Sequence, residues 1–174
     1  MKALISVSSK RDIVRFAEGL SSLGIEIIAT DGTAKELASE GIPVKRVADI
    51  TGFEEMLDGK IKTLNPLIHE MIMTADIGIV VVNLIPVDES KTALDKIDVG
   101  GVALIKSAIK NVNDVCVIVN FERYESILEE LKRGGISRNT RFEMAIEACE
   151  YIISYEMKVK GIIKILGYNN RRVV

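Results

Sequence analysis

The sequence predicts an α/β fold of three layers, a mostly parallel sheet with helices on both faces, and three observations lead there. Short β-type runs alternate with segments of helical periodicity along the chain. Two of those runs, "IGIVVVNLIP" (77–86) and "DVCVIVN" (114–120), are apolar on both sides of their pleat, as strands covered by helices on both faces must be. Glycine or proline closes the early segments, at Gly24, Gly41 and Pro43.

Taken in order, "ALISV" (3–7) reads as the first strand. After "SSK", Ile13, Phe16, Ala17, Leu20 and Leu23 recur at helical spacing until Gly24 stops them. "IEIIA" is a second strand, "TDGT" (30–33) a tight turn, and "AKELASEGI" a helix ended at Gly41. "VKRV" is a weak third strand, followed by the two apolar strands already named. Helices are expected near 101–112, 122–133 and 138–159, the last built on Phe142, Ile146, Cys149 and Ile153. Strands alternating with helices imply right-handed crossovers, and ligands then sit beyond the carboxyl ends of the strands.

Composition narrows the class. With 174 residues, 48% hydrophobic and 28% charged, the chain fits one domain spanning 1–174, its tail "GYNNRRVV" (167–174) being the segment expected to lack order. A net charge of −2 excludes the footprint of a general nucleic-acid or membrane-surface binder. Cys116 and Cys149 lie in apolar periodic segments without the spacing of a metal site or disulfide framework, and are read as reduced core residues. The N-terminal apolar run is too short for a signal peptide and no stretch approaches a membrane span, so a cytoplasmic location is expected.

The polar clusters worth naming follow strands. Ser8, Ser9 and Lys10, taken to adjoin a helix N-terminus, make an anion site, the alternative being a capping serine and a solvated lysine. Thr30, Asp31, Gly32 and Thr33 form a strand-to-helix turn whose glycine lets backbone N–H groups approach a phosphate, against a plain capped turn. In "DGKIKTLNP" (58–66), Lys60 and Lys62 point to one side of an extended segment and Ile61 to the other, with Thr63 adding a hydroxyl; solvated lysines in a loop are the alternative. His69, the only histidine, reads as a partly buried structural residue more readily than as a catalyst. Asn83 closes the most apolar strand, and Asp98 before Gly100 and Gly101 suits a helix cap. Lys106 and Lys110 share a helix stripe with Val102, with Ile105, Ala108 and Ile109 on the core side, and their mutual repulsion favours proton exchange by one of them.

Read together, "SVSSK", "ATDGTAKEL", "TGFEEMLDGKIKTLNPLIHE", "VVVNLIP", "IDVGGVALIKSAIKN" and "SRNTRFEMAIEACEYIISYE" resemble the inosine monophosphate (IMP) cyclohydrolase domain of the bifunctional purine enzyme that also carries formyltransferase activity. The patterns "TGFxEMLDGxxKTLxPxxH" and "DxGGxxLxxxAxKN" carry the resemblance, which spans nearly the whole chain. It implies a methylglyoxal-synthase-like fold, usually dimeric, that closes the purine ring without metal or organic cofactor. Substrate would be 5-formamidoimidazole-4-carboxamide ribonucleotide, and formyl transfer is not expected; a separately encoded transformylase is a conceivable partner.

By motif match, the resemblance places Ser8, Ser9, Lys10, Thr30, Asp31, Gly32 and Thr33 around phosphate and ribose, with Lys60, Ile61, Lys62 and Thr63 completing the nucleotide site. Asn83, the Asp98–Val99 backbone and Gly100 would contact the base. Lys62 would sit near the formyl oxygen, Asp98 would orient or deprotonate the carboxamide, and Lys110 would exchange a proton. Three departures from the family pattern matter. Its "NLYP" tyrosine is Ile85, a loss on the order of a hundredfold in rate if that tyrosine is a required donor. Its "KTLHP" histidine is Asn65, an arginine is Lys60, and "SGGT" has become "TDGT", bringing Asp31 toward a phosphate. The expectation is an IMP cyclohydrolase; the alternatives are a nucleotide-binding module that has lost efficient ring closure and a methylglyoxal-synthase relative.

Overall fold

The computed structural model describes residues 1–53, 63–88 and 93–169. Five strands, β1 (Lys2–Val7), β2 (Glu26–Ala29), β3 (Lys45–Arg46), β4 (Ile77–Asn83) and β5 (Cys116–Ile118), form one parallel sheet in the order β3-β2-β1-β4-β5. The chain therefore builds outward from β1 to β3, then returns to lay β4 along the other edge of β1. That reversal makes a topological switch point between β1 and β4, the helices that follow them lying on opposite faces of the sheet.

Strand pleat sorts the core into two layers. Ala3, Ile5 and Val7 face α1 (Ile13–Ser22), α2 (Asp31–Ser39) and α6 (Tyr124–Lys132), while Leu4 faces α4 (Pro66–Met73), α5 (Val99–Lys110) and α7 (Arg138–Asn169). β4 is buried along its whole length up to Asn83, its residues going alternately to the two layers, which is why it reads as an unbroken apolar run. Each fully buried Ile or Leu contributes about 1.5–3 kcal/mol, so the sheet centre is the most resistant part of the molecule. On the first layer Phe16 stacks on Tyr124 with ring centroids 4.3 Å apart. Burial pushes the Tyr124 phenol up to about 12 and the Cys116 thiol likewise up to about 12, so both stay protonated.

Several expectations change. "TDGT" is not a free turn, because α2 already begins at Asp31 with Thr30 at the N-cap. α1 begins at Ile13 after Asp12, so Ser8 and Ser9 neither cap it nor adjoin its first turn. "LNP" opens α4: Asn65 caps the helix by accepting the Leu67 N–H at 3.0 Å, and Pro66 sits where a missing N–H costs nothing. An asparagine here is thus a helix cap. A short helix, α3 (Val47–Thr51), follows β3, which is itself a two-residue edge strand.

α7 differs most. It extends to Asn169, past the expected end at 159, and residues 170–174 lie outside the described ones. Its inward face carries Met144, Ala148, Tyr155 and Ile162, whereas Ile146 and Ile153, read from the sequence as core, are 61% and 63% exposed. Cys149 is only half-buried. The helix is apolar on two sides, so periodicity alone could not say which side faces the sheet.

Candidate functional site

At the switch point a cavity of about 270 Å³ opens over the carboxyl ends of β1, β2 and β4, near the lower end of the roughly 300–1,000 Å³ seen for small-molecule sites. Its walls are built from separate loops. Lys10 leaves β1 and folds back, its ammonium donating to the Val7 carbonyl and, at 2.9 Å, to Thr33 Oγ1. Thr33 is fully buried in the first turn of α2, and its hydroxyl also lies 3.4 Å from the Val7 N–H. The β1 and β2 loops are thus joined through one lysine and one threonine. Beside them lies the first turn of α2, with Gly32 in it; the Thr33 and Ala34 N–H groups both donate to the Thr30 carbonyl at 2.8 Å, so of these three the Gly32 N–H is the one whose acceptor a helix does not supply.

Asp31 does not line this cavity. Its carboxylate lies 3.8 Å from the Arg46 guanidinium, which also hydrogen-bonds Asp49, and this pairing partly offsets the negative charge expected to trouble a phosphate.

Across the cavity, Asn83 mimics a strand ladder with its side chain. Its Oδ1 accepts the Ser9 N–H at 2.8 Å and its Nδ2 donates to the Ser9 carbonyl at 3.0 Å, locking the β1 and β4 loops side by side. The remaining wall is the entry to α5. Asp98 caps that helix, its Oδ1 accepting the Gly101 N–H at 2.7 Å, while Oδ2 accepts the Ile85 N–H at 3.2 Å. A Cβ on Gly101 would stand 2.6 Å from Leu84 Cδ2 and 2.8 Å from Asp98 Oδ2, and one on Gly100 would collide with Thr63 Oγ1. The paired glycines are therefore a packing requirement, letting the loop before α4 and the loop after β4 meet the helix end. Two hydroxyls from α7 complete the frame: Tyr151 Oη accepts the Leu84 N–H at 2.9 Å, and Tyr155 Oη accepts the Asp98 N–H at 2.8 Å. Burial raises both phenols above their ordinary value.

Of the residues singled out in the sequence, Ser8, Lys10, Thr30, Gly32, Thr33, Thr63, Asn83, Asp98 and Gly100 border this one cavity, and Ile85 stands among them at 44% exposed. Ser9 instead borders a second, more apolar cavity of about 720 Å³ formed with Val119, Phe121 and Tyr151. The larger space carries the carboxylates of Glu147 and Glu150, which repel an anion, whereas the smaller one has Lys10 and the first turn of α2, so the smaller one is the candidate site. Val99 is exposed outside it. Lys110 ends α5, exposed and about 16 Å along the helix axis from Val99, and does not line the cavity; Lys106 does not either. Lys60, Ile61 and Lys62 lie outside the described residues. His69 is half-buried, its Nδ1 2.8 Å from Ser107 Oγ between α4 and α5. The sequence reading missed Asp95 and Lys96, which join the wall, Lys96 at 2.6 Å from Asp88 Oδ2, and it missed both tyrosines. Tyrosines four apart on an otherwise aliphatic helix face were the available signal.

Among the described residues, no group of three His, Cys, Asp or Glu side chains is placed to hold a metal ion. In that same set no helix is long and apolar enough to cross a membrane.

A parallel sheet with hydroxyls, an ammonium and a helix N-terminus gathered at its switch point is an α/β domain with the groups that suit an anion. The comparisons specify it further. The model of the MGS-like domain matches residues 12–119, more than half of the chain, and the chain belongs to that family. The model of the AICARFT/IMPCHase bienzyme matches residues 108–171, relating the C-terminal part to that purine-biosynthetic enzyme family. Among solved structures, the crystal structure of ForH superposes with a TM-score of 0.83 at 30% identity, covering 94% of this chain and 98% of that chain.

Proposed function

We propose that the switch-point cavity binds a purine nucleotide by its phosphate and that the chain is an IMP cyclohydrolase. The observation that carries this reading is the convergence of Lys10, Thr33 and the first turn of α2 on one wall, opposite Asp98 and the glycine-paired start of α5. The match of residues 108–171 to the bienzyme family supports the purine assignment.

In the reaction, the carboxamide nitrogen of 5-formamidoimidazole-4-carboxamide ribonucleotide attacks the formyl carbon. A C–N bond forms as the carboxamide nitrogen gives up one of its two protons and the formyl oxygen takes one up; the formamido nitrogen then releases its own proton, a C=N bond forms there, and the oxygen leaves as water. Both reacting groups sit on one ring, so holding them in register supplies much of the acceleration. Asp98 spends one lone pair of each oxygen on a backbone N–H, and the remaining pairs are open to a carboxamide N–H. Lys62 as the charge near the formyl oxygen is part of the proposal, resting on its motif position. Lys110 would need to act from beyond the cavity wall. Ring closure alone, in a cytoplasmic setting and without a metal or organic cofactor, is what the reading includes.

A homodimer belongs to the same proposal. Ile146, Ile153 and Met157, each above 60% exposed, form a stripe on the outward face of α7 that a second copy would cover.

One observation favours a second reading, a nucleotide-binding module with weak turnover: the wall position of the family tyrosine is filled by the apolar Ile85. The test is the appearance of IMP absorbance from the formamido ribonucleotide, with parent, Asp98→Asn and Ile85→Tyr compared. Turnover in the parent that Asp98→Asn lowers by roughly a hundredfold or more supports the cyclohydrolase. IMP binding without turnover, with turnover gained by Ile85→Tyr, supports the module.

A further inference from the structure

Tyr151 and Tyr155 sit one turn apart on the sheet-facing side of α7, and each accepts a backbone N–H from a different loop of the cavity rim. The two loops are also tied to each other, because the Ile85 N–H is held by Asp98 Oδ2. The result is a closed frame: α7 grips Leu84 through Tyr151, Leu84 leads to Ile85, Ile85 is bound by the Asp98 carboxylate, and Asp98 is gripped in turn by Tyr155. Within it the Asp98 main chain is fixed from behind and its side chain from both flanks, by Ile85 and Gly101. The opposite wall, with Lys10 and Thr33, is held by its own bonds to β1 and α2 and meets the frame through the Ser9–Asn83 pair at the end of β4.

We infer that Tyr151 and Tyr155 are positioning residues that set the Asp98 carboxylate and the Ile85 side chain against the reacting end of the ligand, while Lys10 and Thr33 are held by bonds of their own. The inference rests on the proposed ring closure for its catalytic part and on the hydrogen bonds alone for its structural part. Replacing Tyr155 by Phe keeps the ring and its packing but removes the acceptor for the Asp98 N–H, so the helix cap can swing while the phosphate wall stays in place. Chemistry and binding should therefore separate.

Two measurements on the intact protein test this. Amide hydrogen exchange in the ligand-free state should quicken roughly tenfold or more at Asp98 in Tyr155→Phe and at Leu84 in Tyr151→Phe. Tyr124→Phe, on the opposite side of the sheet, serves as the control and should leave both amides unchanged. In ring closure, Tyr155→Phe should lower kcat roughly ten- to a hundredfold while KM moves by less than about threefold. Unchanged exchange at both amides, or a rise in KM with kcat retained, would overturn the frame. A parent that exchanges as expected but never forms IMP would refute the ring-closure reading and leave the frame supported by exchange alone.

Discussion

Lys10 shows how much one side chain can be asked to do. Its ammonium joins two loops and faces the cavity from the same position, so removing it should affect binding more than stability. A hydrogen bond to a charged group is worth about 1.5–3 kcal/mol. Lys10→Ala is accordingly expected to weaken IMP about ten- to a hundredfold by isothermal titration, with the deficit shrinking as salt rises. Gly101 illustrates the opposite balance. Alanine gains up to about 1 kcal/mol of helix propensity, but a Cβ there meets Leu84 and Asp98, both pinned from behind, and overpacking costs about 1–3 kcal/mol. The collision should win, so Gly101→Ala is expected to lower the urea midpoint and also to displace the Asp98 cap. At this scale the sequence was informative about residue types, hydroxyls and a lysine after strands. It said little about partners: nothing in "SVSSK" indicates that Ser9 pairs with the Asn83 side chain, because that bond joins residues 74 apart.

Elements were legible where one face is buried and the other is wet. α1 shows it, with Ile13, Phe16, Ala17 and Leu20 inside. Legibility failed on α7, where Ile146 and Ile153 repeat as regularly as the buried residues. It failed again at "LNP", an N-cap followed by proline, which opens a helix that apolar spacing alone did not reveal. The joint between α6 and α7 gives a pH prediction. Glu130 accepts the Ser137 N–H at 2.8 Å and a hydrogen bond from the Thr140 hydroxyl, and those bonds hold its carboxyl below the ordinary 4.5. Its folded value lies below its unfolded one, so its contribution is complete above about 4.5 and disappears as pH falls through the folded value. The group is half-exposed, which keeps the effect below about 1 kcal/mol. Urea unfolding of Glu130→Gln should show a smaller fall in stability between pH 5 and 3 than the parent shows.

For the whole molecule, the order β3-β2-β1-β4-β5 decides where a ligand can sit, and the alternation of strands with helices was enough to expect the carboxyl edge. Strand order itself is a long-range property, and no local pattern places β4 beside β1. The outward face of α7 is where the proposed homodimer is tested. Ile153→Glu puts a charge in the middle of the exposed stripe, away from the cavity, and should convert a dimer to a monomer in sedimentation velocity while leaving IMP binding unchanged. A monomeric parent would remove that part of the proposal without touching the site. The most direct measurement is a crystal structure of the protein with IMP. The account predicts phosphate oxygens within hydrogen-bond distance of Lys10 Nζ and the Gly32 N–H in the first turn of α2, with the purine toward Asp98. A nucleotide seated in the neighbouring apolar cavity against Phe121 and Val119, with the Lys10 wall untouched, would contradict it.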